Sequence, residues 1–229
     1  MAKTPAKTSA AKKKPAPRKK AAAKSKAKPH KVTLDRAEPR GLFAHIWEAR
    51  RGLRASWEAQ VRQGITEERL LAYVAFACFM AFLAGLPLAL ETAKASGVEL
   101  SLAALVAGRL VAFVFFAPLF LYGLAALAHL FSKWAFAGEA DYQSARMALF
   151  WALVLGVPLG LMQAIVLQAL TLVGMAQLAV VIGIATFLIW LWIWASLHAF
   201  AEGFSRVKCY LFMLMSIACV GGLLKLALG

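Results

Sequence analysis

From residue 70 onward the chain is a series of long apolar runs separated by short polar breaks. Leu70–Leu90 holds 21 residues without a charge, Leu102–Phe131 is interrupted only by Arg109, and Val207–Leu228 carries Lys225 near its end. Between Arg146 and Glu202 lie 55 residues with no Asp, Glu, Lys or Arg. A helix rises about 1.5 Å per residue, so about 20 apolar residues cross about 30 Å of hydrocarbon. The 55-residue stretch is too long for one crossing and suits two, with a hairpin marked by Gly174 and Gln177. The runs do not alternate apolar with polar, which excludes barrel strands. In hydrocarbon every backbone amide must be satisfied within its own segment. The pattern therefore predicts an all-α, polytopic membrane protein: a bundle of five transmembrane helices over about 70–90, 102–131, 147–172, 177–200 and 207–228, within a 67–229 domain.

Residues 41–66 have a different period. Leu42, Ile46, Leu53, Trp57 and Val61 share one face of a 3.6-residue helix, with Phe43 and Trp47 alongside, and Arg50, Arg51, Arg54 and Arg62 fall toward the other side. This predicts a cytoplasmic amphipathic helix. It either lies in the headgroup layer, where Trp47, Trp57, Arg50, Arg51 and Arg54 would contact lipid, or packs on the protein's own surface. Gly64, Thr66, Glu67 and Glu68 read as a break and a fresh helix start.

Charge is segregated along the chain. It is 62% hydrophobic and 16% charged yet carries +15, and residues 1–69 hold 19 Lys/Arg against 6 Asp/Glu. Residues 1–40 form a Lys/Ala/Pro-rich basic tail with little to bury, so ordering entropy predicts disorder. No apolar stretch begins before Leu70, which argues against a secretory signal. Counting Lys and Arg near span ends puts 23 on the side of the N-terminus against Lys94 alone on the other. The expected topology has a cytoplasmic N-terminus and a periplasmic C-terminus in a bacterial inner membrane.

Within the tail, Lys12, Lys13, Lys14, Arg18, Lys19 and Lys20 form two clusters that suit anionic headgroups. The same composition suits non-specific nucleic-acid binding by counterion release, though no aromatic residue is present for stacking. Arg109 is the one charge well inside a span. It either snorkels toward Glu99 and the headgroups or lines a transport path. His129 and His198 fall near span ends, where they face headgroups or ligate a haem or metal. His198 and Glu202 make no H-E-x-x-H motif. Cys78, Cys209 and Cys219 sit in apolar runs as small hydrophobes. Trp190, Trp192 and Trp194 point to several sides of one helix, so at least one meets lipid. Gly156 and Gly160, flanking Pro158, give the small-xxx-small spacing that lets helices approach closely. Pro87, Pro118 and Pro158 are expected to kink their helices. No catalytic motif, cofactor-binding pattern or metal-ligand set emerges, and the expectation is a non-enzyme without cofactors.

The stretches LLAYVAFACFMAFLAGLPLAL, FFAPLFLYGLAALAHLF and ARMALFWALVLGVPLGL, with the aromatic run leading into HAFAEGF, resemble bacterial members of the Yip family. These are five-span membrane proteins similar to eukaryotic Ypt/Rab-interacting proteins. The resemblance covers about residues 40–229 and implies an N-in, five-span, non-enzymatic protein. The D-L-Y-G-P-like motif of the eukaryotic relatives is missing, so a GTPase-binding role does not carry over. The functional expectation is a membrane-organising or partner-scaffolding protein, with anionic lipid and other membrane proteins or further copies of itself as partners. The alternatives are a small transporter or channel using Arg109 and a nucleic-acid tether using the tail. No small-molecule substrate is indicated.

Overall fold

The structure, a computed structural model, describes residues 41–95 and 101–228. All regular structure among them is helical. Two short helices, α1 (Leu42–Ala49) and α2 (Leu53–Arg62), precede α3 (Glu67–Ala95). Next come α4 (Leu102–Val111) and α5 (Ala117–Phe136), then α6 (Tyr142–Leu172), α7 (Ala176–Glu202) and α8 (Arg206–Leu228). Among the described residues four stretches are long and apolar enough to cross a membrane: Glu67–Lys94, Leu102–Phe136, Tyr142–Leu172 and Gln177–Glu202.

Local chemistry explains the helix ends. Glu67 and Glu68 occupy the first turn of α3 and Lys94 its last turn, each matching the helix dipole. Ser101 caps α4 by accepting from the Ala104 N–H at 3.2 Å, and Asp141 caps α6 by accepting from the Ser144 N–H at 2.9 Å. The hydrogen bonds from Ser144 hold the Asp141 carboxyl below its ordinary pKa. Gly203, at φ 80°, closes α7 in the left-handed conformation that glycine adopts most readily. Pro118 has no N–H to offer the preceding turn, and a π-helical turn at Ala112–Phe116 sits just before it, joining α4 and α5 into one rod. Pro87 and Pro158 lie inside α3 and α6, which continue through them.

The single amphipathic helix expected over 41–66 is divided. The chain turns at Arg50–Gly52, and α1 and α2 form a helical hairpin instead. α2 packs on α7, and α1 touches α6.

The core sits at one end of the bundle. α6 is buried without a gap from Ala145 through Ala152. Leu70 and Val74 of α3, Leu191, Ala195 and Leu197 of α7, and Trp57 of α2 surround it. A helix buried on every side has to be apolar on every side, which is why the ALFWALVL segment shows no amphipathic period. Toward Leu172 the same helix emerges, and Met162, Ile165 and Leu172 are exposed. The α4–α5 rod is more open still, with Phe115, Phe116, Leu119 and Phe120 all facing outward.

The two glycines of the G-V-P-L-G segment serve different purposes. A Cβ on Gly156 would lie 2.6 Å from Cδ1 of Trp190, so this glycine lets the α7 indole rest on the α6 backbone. A Cβ on Gly160 would meet nothing within 4 Å. Gly156→Ala is expected to cost about 1–3 kcal/mol as an overpacking change. Gly160→Ala is expected to be neutral or to stabilise by up to about 1 kcal/mol through helix propensity. Thermal unfolding of the detergent-solubilised protein measures both.

Candidate functional site

The buried polar side chains and their partners gather at the core end in two clusters. In the first, Gln60 of α2 is fully buried and accepts from Tyr73 OH at 2.9 Å. Arg69 donates to Tyr73 OH and Gln63 Oε1, each at 3.0 Å, and also reaches Gln60 Oε1 and the Gly64 carbonyl. The Trp151 indole N–H donates to Ser56 Oγ at 2.9 Å. His45 of α1 pairs with Gln63 at 2.8 Å. A row of polar groups on α2 (Ser56, Gln60, Gln63) thus fastens the hairpin to α3 and α6. The row follows i, i+4, i+7 spacing, the sequence signal for this seam, and it is easily overlooked beside the apolar face of the same helix.

The second cluster joins α3, α5, α6 and α7. Arg146 forms a two-point pair with Glu67, with Nη1 to Oε2 at 2.9 Å and Nη2 to Oε1. Its guanidinium lies over the Tyr142 and Tyr122 rings, 4.6 and 5.5 Å from their centroids. Tyr142 donates to the Tyr122 carbonyl at 3.0 Å, and its ring lies beside that of His129. His129 Nδ1 is 3.1 Å from Glu202 Oε1, and Glu202 Oε2 accepts from the Ala140 N–H at 3.1 Å. His198 Nε2 pairs with Ser132 Oγ at 2.7 Å. Glu202 is only 4% exposed, and its carboxylate ties α5, the loop before α6, and α7 together.

Gly138 makes room for that carboxylate. A Cβ there would lie 2.3 Å from Glu202 Oε2. The preceding Ala137 adopts φ 52°, an unusual conformation for a residue with a side chain, and turns the loop back under the bundle. Glu202 is the first charge after the long uncharged stretch. That position places it just beyond the apolar run but gives no hint of its partners His129 and Ala140.

The arrangement ties α5, the loop before α6, and α7 together at one end of the bundle. Both histidines face Glu202 Oε1, His129 Nδ1 at 3.1 Å and His198 Nε2 at 4.0 Å, and His198 also pairs with Ser132. Among the described residues no three His, Cys, Asp or Glu side chains are placed to hold a metal ion.

The remaining residues singled out in the sequence take distinct places. Trp47 is 62% exposed with Arg50 stacked on it at 4.2 Å, and Arg51 and Arg54 are exposed. Trp57 is 7% exposed. Of the two places open to this face, Trp57 takes the one on the protein's own surface, within the core cluster where α2 packs on α7. Arg109 donates to the Gly85 carbonyl of α3, where the missing side chain lets the guanidinium lie close to the backbone. Glu99 and the tail residues Lys12, Lys13, Lys14, Arg18, Lys19 and Lys20 lie outside the described residues. Trp194 is buried, while Trp192 reaches the surface against Tyr210. Cys78 and Cys209 are buried and Cys219 is exposed.

Removing the buried carboxylate leaves His129 and the Ala140 N–H without their acceptor. Glu202→Ala is expected to destabilise by about 3 kcal/mol. Gly138→Ala should also destabilise, since its Cβ must displace Glu202, whereas the exposed Lys133→Ala should stay within about 0.5 kcal/mol. Unfolding in detergent, followed by near-ultraviolet circular dichroism, compares the three.

The chain was compared with protein-family models, curated proteins and solved structures, and it matches none of them.

Proposed function

We propose that this chain is a non-enzymatic, five-span protein of the bacterial inner membrane, Yip-like in architecture, that organises membrane or partner proteins from its cytoplasmic face. In this reading α8 is the fifth span. Its 23 residues rise about 34 Å, enough to cross about 30 Å of hydrocarbon. The excess of Lys and Arg near the N-terminal side supports a cytoplasmic N-terminus and a periplasmic C-terminus. The basic tail is a second contact with anionic headgroups.

The observation that carries the reading is the two-sided character of the α1–α2 hairpin. Its inner side is fastened by Ser56, Gln60 and Trp57. Its outer side presents Phe43, 78% exposed, and Trp47 beside Arg50, Arg51 and Arg54. Aromatic rings next to arginines suit the boundary between headgroups and hydrocarbon, and each Arg adds about 1 kcal/mol near anionic lipid. Arg109, resting on a backbone carbonyl, supports a packing role over a transport path.

The test uses the full chain in nanodiscs. An environment-sensitive fluorophore is attached at Phe43→Cys in a Cys219→Ala background. Its emission is expected to shift to the blue in nanodiscs containing anionic lipid. The triple change Arg50→Gln, Arg51→Gln, Arg54→Gln should remove most of that shift. Equal emission in neutral and anionic nanodiscs contradicts lipid contact by this edge.

A further inference from the structure

The loosely packed half of the bundle contains a trough between α3, α6 and α7. Two adjoining cavities of about 340 and 950 Å³ share Ala84, Gly160, Gln163 and Gly183. The larger is at the upper end of the size of small-molecule sites, about 300–1,000 Å³. Small residues shared by the two cavities open the trough: Ala84 on α3, Gly160 on α6 and Gly183 on α7. The Trp190 indole, seated on Gly156, borders the smaller cavity on the core side.

Gln163 gives the trough chemical character. Its amide borders both cavities and makes no hydrogen bond among the described residues. A Cβ on Gly183 would lie 3.6 Å from its Nε2, so the amide faces the bare backbone of α7. α6 has 31 residues, about 46 Å of helix against about 30 Å of hydrocarbon. Gln163 is about 14 Å from the Leu172 end. With α6 centred, that is about 6 Å beneath the nearer hydrocarbon boundary. A primary amide at that depth is costly without a partner. Gln168 provides the contrast, because its amide donates to Glu91. None of the described lining residues of the trough is charged, and Arg109, which touches the lining residue Gly85, is turned to its backbone carbonyl, so nothing beside Gln163 answers an ionic headgroup.

We propose that the trough is a binding site for a neutral lipid, whose hydrocarbon chain lies between α3, α6 and α7 and whose hydroxyl or carbonyl group hydrogen-bonds to Gln163. This rests on the reading that these helices lie in a bilayer. The apolar walls accept the chain, the lack of charge selects a neutral head, and the amide can both donate and accept.

The test reconstitutes the full chain in vesicles with a diazirine-bearing diacylglycerol, or with a diazirine-bearing phosphatidylglycerol of the same chains, followed by photolysis and mass spectrometry. Diacylglycerol is expected to label peptides of α6 and α7 in preference to phosphatidylglycerol. Gly160→Leu, whose side chain grows into open space, should abolish labelling while leaving thermal unfolding intact. Gln163→Leu should cut the preference for diacylglycerol about fivefold, the effect of one net hydrogen bond. Equal labelling by both lipids, or labelling unchanged by a folded Gly160→Leu protein, overturns the proposal. So does oxidative crosslinking of Gly160→Cys to a second copy, which would make another chain the occupant. Alkaline carbonate extraction separates the two readings. A chain that resists extraction yet is not labelled defeats only the lipid site, whereas an extracted chain defeats the membrane reading as well.

Discussion

Polar groups that leave water are costly without partners inside the protein, and this constraint shapes the fastened end, where Gln60 Nε2, Arg146 Nε, Trp194 Nε1, Ser196 Oγ and His198 Nδ1 are the buried side-chain atoms still left without one among the described residues. Buried polar and charged side chains are concentrated at one end of the bundle. There the buried Arg146 guanidinium donates twice to the exposed Glu67 carboxylate, and the buried Glu202 carboxylate accepts from the Ala140 N–H and lies against His129. A single substitution in such a cluster strands its neighbours, because a buried donor without an acceptor costs more than an intact hydrogen bond contributes. The α1–α2 hairpin is held by the same rule, with Gln60, Arg69, Tyr73 and Trp151 linking it to the long helices. The apolar contacts of Trp57 and Leu70 fill the space between these polar ties.

The opposite half follows different rules. Small residues on α3, α6 and α7 leave a trough, and the α4–α5 rod exposes aromatic rings. In the proposed bilayer no hydrophobic effect drives helices together, and packing of this half then depends on shape and on hydrogen bonds. Gly156 and Gly160 show both outcomes one helical turn apart. The first brings an indole onto the backbone, and the second leaves open space.

The long helices were legible in the sequence because length and lack of charge are properties of a run, independent of its neighbours. Their ends were less so. α3 includes Glu67, Glu68 and Lys94, charges that a hydrocarbon criterion trims but that a helix dipole favours at the ends. The break at Arg50–Gly52 interrupts an apolar period that continues across it, so periodicity alone predicted one helix. That period also grouped Trp57 with Trp47, although packing turns one inward and leaves the other out. The polar clusters were the least legible part. Glu202, His129 and Ala140 come from three separate segments, and their meeting depends on how α5 and α7 pack.

The central proposal is that the fastened end lies at the cytoplasmic surface and the α6–α7 turn at the opposite one. Single cysteines at Glu139 and at Gly174, in a chain without its native cysteines, measure this through labelling by a membrane-impermeant maleimide in intact bacterial cells with a permeabilised outer membrane. The account predicts that position 174 is labelled directly and position 139 only after the inner membrane is opened. Labelling of both positions from the same side contradicts it.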